Sequence, residues 1–236
     1  MIAREIDWIK IGGKWTRVSW MKEKGVKIDA KVVMIPGNPG NEGFYEDFGK
    51  QLITKIATDK NENVEFITIS HLNHVPLPKG LDESQSHDVY LLSDQVQQKI
   101  NFFKEYLSKS DRIYLISHSI GSYMALQILP ILESEGYNIV GCCALFPVFE
   151  FLPKSSQGIW MQHIADEHPN LDTVKDKLRL YYAVEDHWVP HGSAERNLKK
   201  YGPKCVRIDE HRCKHAFVVS HSGPMVNVVV SLLNEF

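Results

Sequence analysis

The sequence is short of charge of either sign in excess. It carries 27 Lys and Arg against 29 Asp and Glu, a formal net charge of −2 over 236 residues. No basic field is present to hold a phosphate backbone, so nucleic acid is not an expected partner. Cysteine is scarce: Cys142, Cys143, Cys205 and Cys213 form no CxxC pair. No Asn-x-Ser/Thr acceptor occurs either, and together these point to a reducing compartment. Long apolar runs are missing. The longest, Ile139 to Phe149, is interrupted by Gly141 and Pro147 and falls far short of the ~20 residues of a spanning helix. The opening MIAREIDWIK alternates charged and apolar residues, unlike a signal peptide. A soluble or peripheral chain with no transmembrane helix is expected.

Phosphate loops and metal clusters are missing as well. There is no G-x-x-x-x-G-K-[ST], and no G-x-G-x-x-G after a strand, so nucleotide cofactors have no support. Asp59 to Asn63 starts like a calcium loop, but Val64 stands where glycine is needed and Ser70 where the bidentate Glu belongs. His187/His191 and His211/His215 have the spacing of zinc-binding helices. Pro190 breaks the first pair, however, and the second lies between a strand and a helix. No cofactor and no metal are expected.

What is present is an ordinary globular balance, 43% hydrophobic and 24% charged. Residues 5–10 and 14–21 read as a hairpin across Gly12-Gly13. Strands are expected at 31–35, 64–69, 112–116, 139–146, 178–184 and 205–208. Helices are expected at 44–57, 122–132, 193–201 and 225–233. A further helix, the clearest, follows Val89, Leu92, Val96, Ile100, Phe103 and Leu107 at steps of three and four. Strand and helix alternate from residue 31 onward, which implies an α/β fold with a mostly parallel sheet and helices on both faces. Residues 1–236 are read as one domain, with 148–177 as an irregular, lid-like excursion.

Ser117-His118-Ser119-Ile120-Gly121 falls between a predicted strand and a predicted helix. That is the position of a nucleophile elbow, where the turn lifts the central serine above the sheet edge. The flanking residues must be small, and Ser117 takes the place of the usual first glycine. A nucleophilic serine needs a base, and the base needs an orienting carboxylate, in the chain order Ser, Asp or Glu, His. Asp186 follows the 178–184 strand, with Glu185 as its competitor. His215 follows the last strand and precedes Ala216-Phe217-Val218-Val219, which can pack and fix its ring; His211 is the rival. His118 adjoins the nucleophile, but successive side chains diverge at a sharp turn, so a packing or tuning role is expected. Two N–H donors are needed for an oxyanion. One is that of Ile120. The other comes from Pro36-Gly37-Asn38-Pro39-Gly40, where the prolines have no N–H; Asn38 is preferred to Gly37 as lying further into the turn.

Taken together these segments resemble the lipid-droplet-associated hydrolases, which are α/β-hydrolases. Ile35 to Gly40 with Phe44-Tyr45 resembles their IPGNPG…FY opening, and Ile69-Ser70-His71 with His74 resembles their ISH-x-x-H segment. His118 to Tyr123 resembles their elbow, and Leu145-Phe146-Pro147 their LFP. Tyr181-Tyr182 with Asp186 and Trp188 resembles their acid loop, and His215-Ala216-Phe217 their HAF. The resemblance implies a serine ester hydrolase with Ser119, Asp186 and His215 as nucleophile, acid and base. It also implies lipid esters, with sterol esters suggested, and residence on lipid droplets and endoplasmic reticulum. The family carries a long apolar insertion after LFP, where this chain has only about thirty residues, Val148 to Lys177. Weak droplet binding is therefore expected, with Phe149, Phe151, Leu152, Ile159 and Trp160 as the candidate patch. The readings kept open beside a hydrophobic-ester hydrolase are a catalytically weak droplet adaptor and a short-acyl esterase or thioesterase.

Overall fold

The computed structural model describes residues 1–149 and 171–236. Its strands are β1 (Ile2–Ile11), β2 (Lys14–Glu23), β3 (Ala30–Ile35), β4 (Val64–Ile69), β5 (Ile113–His118), β6 (Ile139–Leu145), β7 (Leu178–Tyr182) and β8 (Val206–Ile208). They form one sheet in the order β1-β2-β4-β3-β5-β6-β7-β8. The β1/β2 and β2/β4 pairs are antiparallel, and every pair from β4 through β8 is parallel. The helices are α1 (Glu46–Lys60), α2 (Leu92–Tyr106), α3 (Ile120–Ser134), α4 (Ser193–Cys205), α5 (Phe217–Ser220) and α6 (Ser222–Leu233).

The two-residue period of the strands divides the core. Val33 and Ile35 of β3, Ile67 and Ile69 of β4, and Ile113 and Leu115 of β5 point to one face, where Met124, Ile128 and Leu132 of α3 pack. Their neighbours Val32, Met34, Phe66, Tyr114 and Ile116 point to the other, against Phe48, Leu52 and Ile56 of α1 and Val229 and Leu233 of α6. The central strands are thus apolar on both faces, as a covered parallel sheet requires.

Four expectations need correction. Val89 is not on the helix. The Asp94 carboxylate accepts the Leu91 N–H at 2.7 Å, which starts α2 at Leu92 and leaves Val89 88% exposed. Strand β7 stops at Tyr182 rather than 184. Its partner β8 ends opposite it at Ile208, and the Asp209 N–H donates to the Tyr182 carbonyl as the last rung. The closing helix starts at Ser222 instead of 225, because Pro224 falls in the first turn, where a missing N–H costs nothing. Phe149 is not part of an exposed patch: like Val148, it is buried against the core on the α3 side of the sheet. Phe151, Leu152, Ile159 and Trp160 lie outside the described residues.

Candidate active site

The turn from β5 into α3 holds Ser119 at φ 54°, ψ −124°, in the left-handed region a non-glycine residue seldom adopts. Strain of this kind persists only where the surroundings enforce it. Here they do, because α3 lies almost against the end of β3. A methyl carbon on Gly121 would stand 2.3 Å from the Pro36 carbonyl oxygen, and one on Gly37 would stand 2.9 Å from the Ser119 Cβ. Ser117, in place of the usual glycine, is fully buried and its hydroxyl donates to Ser122 Oγ at 3.2 Å. The larger residue fits because its polar atom has a partner.

Three strand ends deliver side chains to this turn. Past β7, Asp186 places Oδ2 2.7 Å from His215 Nδ1. Past β8, His215 places Nε2 2.8 Å from Ser119 Oγ. The other oxygen of Asp186 accepts the Trp188 N–H at 2.8 Å, which closes the acid loop around the carboxylate. The side chains of Asp186 and His215 are 4% and 13% exposed, so this contact is largely withdrawn from water. Glu185 is exposed, and Asp186 rather than Glu185 holds the imidazole. His211 is also exposed and faces a separate groove between Met1, Lys50 and Pro224.

The predicted donors also lie at this turn. Asn38 and Ile120 line the same cavity as Ser119 and His215, with a volume of about 960 Å³. Neither the Asn38 N–H nor the Ile120 N–H has a hydrogen-bond partner among the described residues. The Gly37 N–H is already committed, donating to Tyr45 Oη at 2.8 Å. His118 points away from Ser119. Its Nδ1 lies 2.7 Å from Tyr45 Oη and its Nε2 2.8 Å from the His215 carbonyl. Burial pushes its pKa down to about 3, so the ring is neutral at physiological pH.

Two positioning features escaped the sequence. Tyr45 carries no chemistry-bearing pattern beyond its place after Phe44. Asp209, fully buried, accepts the Tyr181 hydroxyl at 2.6 Å and the backbone N–H groups of His211 and Cys213, which shapes the loop that delivers His215. A carboxylate immediately after the last strand was the available signal.

With this geometry in view, the likeness to known proteins is specific. The family model for the lipid-droplet associated hydrolases matches residues 29–174 and 160–218. The chain belongs to that family. A relative from Drosophila melanogaster, a lipid droplet-associated hydrolase, is 24% identical over 297 aligned positions, covering 94% of this chain and 93% of the relative. One from Pongo abelii is 30% identical, covering 94% and 90%. The match to the Gallus gallus relative, at 32% identity, spans 62% of this chain but only 45% of that protein. Alignments longer than this chain's 236 residues require gaps in it, and the two family-matched segments meet at 160–174, inside the short stretch after Pro147. Among solved structures, a CIB-like hydrolase from Thermoplasma acidophilum superimposes with a TM-score of 0.63 at 16% identity, covering both chains fully. A fungal esterase from Rhizomucor miehei gives 0.60 at 12%, covering all of this chain and 84% of its own. The fold is that of the α/β-hydrolases.

Proposed function

We propose that the protein is a serine hydrolase of hydrophobic carboxylic esters. The observation that carries this is the unbroken hydrogen-bonded line Asp186–His215–Ser119, opening into a cavity with an apolar mouth. Asp186 accepts from His215 Nδ1–H and so fixes the tautomer that leaves Nε2 as the acceptor for the Ser119 hydroxyl proton. Oγ attacks the ester carbonyl, Nε2 takes the proton, and the carbonyl oxygen becomes an anion. The N–H groups of Ile120 and Asn38 receive that charge. Their freedom from other partners supports this pairing over one using Gly37. His215 then protonates the leaving alcohol, and water repeats the sequence on the acyl-enzyme.

The proposed substrate is a lipid ester, sterol esters included, drawn from the surface of lipid droplets, with which the relatives' names associate them, or of endoplasmic reticulum. An apolar rim supports a lipid-facing mouth. Phe44, Val89, Leu91, Trp188 and Val219 line the cavity and are 47–88% exposed. Among the described residues, no helix is long and apolar enough to cross a membrane, so contact would be peripheral. The test is a series of p-nitrophenyl and sterol esters of increasing acyl length, run on the wild type and on Ser119→Ala, with fluorophosphonate labelling of both. Turnover that rises with acyl length and vanishes with Ser119 is expected. A preference for the shortest acyl groups would favour a short-chain esterase. No labelling of the wild type would favour a non-catalytic adaptor.

A further inference from the structure

The elbow histidine has a partner at each ring nitrogen, and those partners belong to the two loops that flank the nucleophile. The proton positions follow from acceptor chemistry. The His215 carbonyl can only accept, so the His118 Nε2 facing it at 2.8 Å carries the hydrogen. The ring is neutral, so Nδ1 is a bare acceptor and the Tyr45 hydroxyl 2.7 Å away must donate to it. The phenol oxygen in turn accepts the Gly37 N–H at 2.8 Å. The result is one directed chain from the Gly37 N–H through the Tyr45 hydroxyl and His118 to the backbone carbonyl of His215. Both its ends are main-chain groups, and neither can reverse its role.

We propose that His118, acting through Tyr45, is a positioning residue that ties the loop bearing the Asn38 donor to the loop bearing the base. The inference rests on the triad reading above. Tyr45 and His118 are 3% and 4% exposed, so water does not compete for these bonds. Phe217 packs edge-on against both rings, with centroids 6.5 and 5.0 Å away, and fixes their planes. The brace also takes Gly37 out of the oxyanion site and leaves the next N–H, that of Asn38, facing the cavity. Charge gives a further reason for a neutral ring here. The His118 and His215 rings lie 5.1 Å apart, and a cation at the first would oppose the imidazolium that forms at the second. Burial withholds the proton from His118 and keeps the brace electrically silent.

The experiment uses Tyr45→Phe, His118→Leu and His118→Gln beside the wild type and Ser119→Ala, with p-nitrophenyl butyrate as substrate. The endpoint of fluorophosphonate labelling counts intact sites, so kcat is expressed per labelled site; melting temperature is recorded for each variant. Tyr45→Phe keeps the ring and removes only the oxygen that joins Gly37 to His118. It is expected to lower kcat per site about 10-fold with KM within about twofold, and His118→Leu about 100-fold, in line with small misplacements of reacting groups. His118→Gln retains a donor toward the His215 carbonyl and is expected to recover at least a tenth of wild-type kcat. Unchanged or raised kcat per site in Tyr45→Phe overturns the proposal. So does a loss in His118→Leu that only follows the number of labelled sites, which is the mark of a purely structural role. Turnover retained by Ser119→Ala would instead sink the triad reading itself.

Discussion

Gly121→Ala probes the contact on which the elbow depends. A methyl carbon there would stand 2.3 Å from the Pro36 oxygen, 2.5 Å from the Ile35 oxygen and 2.9 Å from the Pro36 carbonyl carbon. Reaching an ordinary carbon–oxygen contact of ~3.4 Å requires a displacement of about 1 Å. The obstacles are backbone atoms, so no side-chain rotation relieves them. Strand β3 is held between β4 and β5, and α3 is packed along its length on the sheet. The displacement must therefore fall on the Ile35 end of β3 and on residues 36–40, which carry the Asn38 N–H. Overpacking of this size costs about 1–3 kcal/mol, and a chain of this length loses about 2–4 °C per kcal/mol. The expected fall in melting temperature is thus roughly 2–12 °C. A donor moved by ~1 Å relative to Ser119 lowers kcat about 100-fold. The control is Gly223→Ala in α6, where the new carbon meets only the end of the flexible Gln51 side chain at 3.3 Å and helix propensity favours the change by up to ~1 kcal/mol. Differential scanning calorimetry and ester turnover on both variants read the two effects. Wild-type stability and turnover in Gly121→Ala would refute the close approach as the reason for glycine at this position.

Other outcomes follow from the same geometry. Asp186→Asn and His215→Ala are each expected to cut kcat at least 1,000-fold, and combining either with Ser119→Ala should cost nothing more, because the three act as a unit; additive losses in the double variants would separate them. Acid should weaken the fold through His118. Its pKa is about 3 in the folded chain against an ordinary 6.5, so between those values the unfolded chain binds a proton that the folded chain refuses. Stability is fully present above about pH 6.5 and falls as pH drops through the window, by up to ~1.4 kcal/mol per pH unit for one proton. Urea midpoints at pH 7, 6, 5 and 4 should fall more steeply for the wild type than for His118→Gln, and equal slopes would contradict a neutral buried ring.

How far the sequence disclosed this molecule differs from one element to another. Strand β4 was read to the residue, because Val64, Phe66, Ile67 and Ile69 cluster between the polar Asn63 and Ser70 and the sheet covers both its faces. Where local pattern and tertiary pairing disagreed, pattern lost. Val89 has the helical spacing, but the carboxylate of Asp94, three residues past Leu91, decides where α2 begins. Ala183 and Val184 have strand-like composition, but β8 offers them no partner. That Ser119, Asp186 and His215 would meet at one sheet edge was legible because each follows a recognisable strand. The bonds that hold them were not. Tyr45 and His118 lie 73 positions apart, and His118 and the His215 carbonyl 97; no periodicity links such residues. Their pairing is a property of the sheet order, which brings the ends of β3, β5 and β8 to one edge.

That edge also bears on how a lipid would reach the serine. The apolar surface sought in 148–177 is matched, among the described residues, by a rim around the cavity mouth. Val89 and Val219 are its most exposed members, at 88% and 74%, and Leu91, Trp188 and Phe44 are about half exposed. These residues come from separate loops and helix ends, and the fold gathers them around one opening. Leaving an apolar side chain of this size in water rather than in an apolar phase costs roughly 1.5–3 kcal/mol when its burial is complete. Partial insertion of two valines at about 1 kcal/mol each corresponds to a 10- to 100-fold change in partition. Val89→Ser combined with Val219→Ser is therefore expected to lower binding to neutral phosphatidylcholine vesicles or to triacylglycerol droplets coated with phospholipid by that factor. The loss should be indifferent to salt, because the contact is apolar rather than ionic. Flotation assays at low and high salt measure both properties, with melting temperature as the check on folding. Unchanged flotation of the double variant would show that the rim is not the lipid-facing surface. Binding that disappears at high salt would show that charge, rather than this apolar ring, holds the protein at the interface.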